Sequence, residues 1–74
     1  MRTVADAWET FAHAVLPPDC SRVQRDEMRK AFYGGATALL SLTGEIAAID
    51  NEEACIAILQ GLHEEVAAFA ANLT

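Results

Sequence analysis

Seven residues set the fold: Met28, Phe32, Gly35, Leu39, Leu42, Ile46 and Ile49 follow one another in alternating steps of four and three. That alternation is the a/d seam of a helix packed along its length on another helix. A strand would bury every second residue, and no run of this sequence alternates so. Ser21 and Gln24 form an S-x-x-Q capping box ahead of the seam. The spacing predicts one helix over residues 22–49, roughly 40 Å long at 1.5 Å per residue. A break at Leu42-Thr43-Gly44 is the alternative, because glycine weakens a helix interior by about 1 kcal/mol.

Two further helices flank it. Thr3, with Asp6 three residues on, caps a helix over residues 3–16. Its apolar stripe is Val4, Trp8, Phe11 and Val15, and Pro17-Pro18 ends it. Asp50 and Glu53 read as a D-x-x-E box opening a third helix over residues 52–73. Cys55, Leu59, Leu62, Val66, Phe69 and Leu73 continue the same alternation there, and Ile56 and Ile58 widen the stripe. The expected fold is all-α and single-domain. Helices two and three form an antiparallel hairpin across a short turn, with helix one packed across it.

A chain of 74 residues is small for such a core. Domains of this size reach stabilities of about 3–5 kcal/mol unless a disulfide, a metal or self-association adds to it. Cys20 and Cys55 fall at opposite ends of the expected hairpin, too far apart to bridge. His13 and His63 lack ligand spacing with either cysteine. Neither a metal nor a cofactor is expected, which leaves a homo-oligomer. Small residues at 34–36 and 38, beside a second stripe of Tyr33, Ala36, Thr37 and Leu40, place helix two at its centre. The alternative is that helix one covers that stripe within the monomer. The polar N-terminal stretch, and the absence of an apolar run of about 20 residues, lead us to expect a cytoplasmic protein without a membrane anchor.

Charge is placed unevenly. The net charge is −6, yet four of the five basic residues lie in "SRVQRDEMRKAFYGGA", residues 21–36. Residues 31–74 hold six acids and no Lys or Arg. Such a field opposes long nucleic acids but not a small anion at a local basic site. At 100° per residue, Arg22, Arg25, Arg29 and Tyr33 fall on one helix face, with Lys30 flanking. They occupy the first turns, where the helix dipole is positive and free N–H groups point outward. Arginine forks suit phosphate and a phenol ring can stack on a base, so these five residues are candidate nucleotide ligands. The same face also reads as a salt-paired solvated surface through Arg22–Asp26, Asp26–Lys30 and Asp26–Arg29.

Catalytic readings are weaker. A Cys20/His13 nucleophilic pair has no orienting third group, and the adjacent acids Glu52-Glu53 and Glu64-Glu65 do not face one another on a helix. The expectation is a binder and not an enzyme.

The block from Leu16 to Ala36 resembles short helical proteins of bacteriophages and prophages. Their pattern is L-P-P-D, four residues, then Q-x-x-E-M-R-[RK]-A-F-Y-x-G-A, here Leu16 to Asp19 and Gln24 to Ala36. In size and helical content the chain is also similar to phage sponge proteins, which bind the cyclic nucleotides of CBASS and Thoeris defence. That likeness is architectural and carries over no site residue. It implies an anti-defence protein that sequesters a cyclic nucleotide between subunits. The alternative is an inhibitor that docks a host protein through Glu52, Glu53, Glu64 and Glu65.

Overall fold

The computed structural model describes residues 1–73. Its three helices are α1 (Val4–Val15), α2 (Arg22–Ala47) and α3 (Glu52–Ala71), and no strand occurs among the described residues. The all-α expectation holds, and α2 passes through Gly44 as one helix. The chain divides into two compact units, Met1–Leu40 and a second beginning at Ser41.

The first unit is organised by aromatic rings. Thr3 caps α1 with a complete box: Asp6 N–H donates to Thr3 Oγ1 at 3.1 Å, and Thr3 N–H donates to Asp6 Oδ2 at 3.0 Å. The box holds the Asp6 carboxyl below the usual aspartate range. The backbone hydrogen bond from Thr3 is the main cause, followed by the Thr3 side chain. Trp8, 2% exposed, is the largest buried side chain. Its ring lies 5.9 Å from Phe11 and 5.6 Å from Phe32, and those two are 5.2 Å apart. Tilted rings at such distances contribute about 0.5–1.5 kcal/mol per pair beyond area burial. Ala12, one turn after Trp8, is also buried, whereas Val4 and Val15 at the ends of the expected stripe are exposed. Leu16 leaves the helix in extended conformation before the prolines. Ser21 then opens α2, accepting from Gln24 N–H at 3.0 Å.

In the second unit Ile46 is the buried seam residue, 8% exposed. Helix α2 stops at Ala47, two residues short of the expected end. Ala48 and Ile49 N–H turn to the carbonyls of Glu45 and Ile46, three residues back, and tighten the final turn. The Cys55 sulfur lies 3.4 and 3.6 Å from the Ile46 and Ile49 carbonyls, so its single S–H donates to one or the other just past the end of α2. The cap of α3 lies one residue later than the D-x-x-E reading. Asn51, in extended conformation, accepts Ala54 N–H at 3.0 Å. Asparagine and aspartate cap about equally well, so the turn geometry selects Asn51. Within α3, Val66 and Phe69 are each 67% exposed. Helix α3 (Glu52–Ala71) contains an 18-residue window of mean hydropathy 1.3, apolar enough by length and composition to cross a bilayer. Its Glu64-Glu65 pair would be costly at bilayer depth.

Candidate anion-binding site

The helical period sorts the five candidate side chains into two groups. Arg25 lies about 60° from the α2 seam and Arg29 about 100° from it, at 100° per residue. The smaller angle turns Arg25 toward α1. Its guanidinium sits 5.6 Å from the Trp8 ring centroid and donates to both Glu9 carboxylate oxygens, at 3.3 and 3.2 Å. Arg25 thus closes the aromatic core. Arg22, the first residue of α2, is exposed.

Arg29, Lys30 and Tyr33 do come together. With Asp26 they line an open depression of about 410 Å³. The Arg29 guanidinium lies 5.6 Å from the Tyr33 ring centroid. That contact fixes the guanidinium on a rigid ring, so less side-chain entropy is lost when it grips an anion. Tyr33 is half-buried, held edge-on by Phe32 at 6.2 Å. Lys30 Nζ reaches Glu27 Oε1 at 3.1 Å, in place of the Asp26 pairing that the i,i+4 spacing offers. Lys30 and Glu27 are both well exposed, so a phosphate can draw Lys30 away at little cost.

Chemically the depression offers one free guanidinium edge, one displaceable ammonium and one phenol. The guanidinium already covers a face of the ring. A base therefore stacks on the guanidinium plane or takes its place on Tyr33. Asp26 sets a carboxylate at the rim and opposes a highly charged polyanion there. The first turn of α2 contains no acid to offset its positive dipole end, which adds to the attraction for anions.

Sequence spacing did not reveal that Glu9 takes Arg25, since the two are 16 residues apart. Nor did it single out Asp26 as a rim residue; its i,i+3 step from Arg29 was the available signal. His13 and Cys20 line another depression, of about 340 Å³, and no hydrogen bond joins them among the described residues. No group of three or more His, Cys, Asp or Glu gathers in metal-binding fashion among the described residues. No family model, curated protein or solved structure matches the chain.

Proposed function

We propose that this chain is a non-enzymatic phage anti-defence protein that binds and sequesters a small anionic nucleotide, of the cyclic immune-signal class, in the host cytoplasm. Arg29 grips phosphate, Lys30 adds a second cation, and Tyr33 with the Arg29 plane stacks the base. The single observation behind this reading is the Arg29 guanidinium resting on Tyr33, with Lys30 beside it, around one open depression. The ligand class is suggested by the architectural likeness to phage sponge proteins, not by the phage-type block. Arg22 lies about two turns before Arg29, at the start of α2, where it steers the anion inward, whereas Arg25 serves the core.

In the proposed assembly α2 and α3 form an antiparallel hairpin with α1 across it. Copies associate so that two depressions close around one ligand. Exposed apolar side chains support association: Leu39, Leu40, Val66 and Phe69 are all more than half exposed.

The test is direct. The protein is purified from bacterial cells, denatured by heat, and the supernatant analysed by mass spectrometry. Stoichiometric release of a nucleotide supports the proposal. If nothing is released, and calorimetric titration with cyclic mono- and dinucleotides gives no binding heat, the proposal is overturned.

A second reading has an observation of its own. Glu64 and Glu65 sit beside two-thirds-exposed Val66 and Phe69 on α3, an acidic rim next to apolar anchors. On that reading the chain docks a host protein. One stoichiometric partner captured by the wild type and lost in Phe69→Glu would favour it.

A further inference from the structure

We infer that the depression lined by Arg29, Lys30 and Tyr33 selects guanine, with the Asp26 carboxylate accepting from N1–H and the 2-amino group of the base. The inference rests on the nucleotide reading proposed above and adds the base to it.

The observation behind it is a carboxylate left without a partner among cations. Arg22 lies four residues before Asp26, Arg29 three after it and Lys30 four after it, and each spacing suits an ion pair on a helix. None of the three takes it. Lys30 Nζ goes to Glu27, the Arg29 guanidinium rests on Tyr33, and no hydrogen bond or ion pair engages Asp26 among the described residues. Asp26 is exposed and lines the depression with Arg29, Lys30 and Tyr33. A bare carboxylate in an anion site repels phosphate and weakens the site, unless the ligand brings N–H donors for it.

The helical period places those donors. With Asp26 as origin, at 100° per residue, Tyr33 falls about 20° to one side; Arg29 lies about 60° to that side and Lys30 about 40° to the other. Asp26 and Tyr33 therefore share one line along the helix, about 10 Å apart in rise, and the two cations flank it. A base stacked at the Tyr33 end, on the ring or on the Arg29 plane, extends along that line toward Asp26. Its phosphate turns to a flanking cation.

The chemistry of the bases does the selecting. An ionised carboxylate only accepts. Guanine presents N1–H and its 2-amino group side by side, two parallel donors for the two oxygens. Adenine and cytosine set a ring-nitrogen lone pair beside their amino group, and uracil sets a carbonyl on each side of N3–H. Each of those three puts an acceptor against the carboxylate. Charge-assisted hydrogen bonds are about twice as strong as neutral ones, so the pairing discriminates even in an open depression.

Isothermal titration of the full chain tests the inference, with cyclic di-GMP, cyclic di-AMP, cyclic di-IMP and GMP as probes. Cyclic di-GMP is expected to bind on the order of 10- to 100-fold tighter than cyclic di-AMP. Cyclic di-IMP, which keeps N1–H and lacks the 2-amino group, should fall between them. Asp26→Asn should weaken cyclic di-GMP and strengthen cyclic di-AMP, because an amide presents one donor beside one acceptor and no longer repels phosphate. Circular dichroism is expected to show unchanged helicity, since Asp26 is exposed and outside the ion pairs. An anion site without a base contact would instead gain affinity for every probe in Asp26→Asn. That result, or equal affinities in the wild type, overturns the inference and leaves nucleotide binding standing. GMP binding tighter than cyclic di-GMP supports the guanine contact and overturns the cyclic class. Failure of all four probes to bind overturns both readings.

Discussion

Arg25 and Glu9 meet across 16 residues of sequence, with one guanidinium nitrogen within 3.3 Å of both carboxylate oxygens. Their side chains are 42% and 69% exposed, so the ion pair alone is worth about 0.5 kcal/mol. The guanidinium also covers the Trp8 ring, worth about 0.5–1 kcal/mol more. Arg25→Ala is therefore expected to lower Tm by about 4–12 °C, read from thermal unfolding followed by circular dichroism. Glu9→Gln, which keeps the stack, should cost less than half of that. Equal losses in the two variants would show that the stack adds nothing.

Asn51 and Asp50 separate two cap positions at the start of α3. Asn51→Ala removes the acceptor for Ala54 N–H and is expected to cost about 1 kcal/mol. Asp50→Ala should change stability by less than about 0.5 kcal/mol, as for an ordinary surface position. Urea unfolding midpoints of the two variants measure the difference.

Asp6 gives the stability a pH dependence of known sign. Its carboxyl titrates below the usual range in the folded chain because the Thr3 backbone and hydroxyl bond the charged form. A lowered folded value means stabilisation that is complete above the unfolded value and lost as pH falls through the folded one. Stability should therefore decline as pH falls through and below the ordinary aspartate range, and Asp6→Asn should flatten that decline. The measurement is a set of melting curves across that range. An unchanged slope in Asp6→Asn would assign the effect to other carboxylates.

The three helices were legible in the sequence, because the three apolar periods and their breaks at Pro17-Pro18 and residues 50–51 are local signals. The D-x-x-E box misplaced the α3 cap by one residue, since the motif does not encode whether the turn brings Asp50 or Asn51 into extended conformation. The alternation at Ile49 overran α2 because an apolar residue fits a tightened final turn as well as a helix. At the site, counting angles placed Arg29, Lys30 and Tyr33 together but also enrolled Arg25. The missing information was tertiary: Glu9 and Trp8 approach from another helix, and no spacing within residues 21–36 announces them. Ala12 illustrates the same limit: it is buried one turn after Trp8, at a position outside the expected stripe of Val4, Trp8, Phe11 and Val15.

The two arginines one turn apart give the most direct test of the binding account. Isothermal titration with the cyclic nucleotide identified by mass spectrometry is run on the wild type, Arg29→Ala and Arg25→Ala, below the melting temperature of each. Arg29→Ala is expected to weaken binding by about 10- to 100-fold, the loss of a charge-assisted contact of about 1.5–3 kcal/mol. Arg25→Ala should bind within about twofold of the wild type. Wild-type affinity in Arg29→Ala, or an equal loss in both variants, would contradict it.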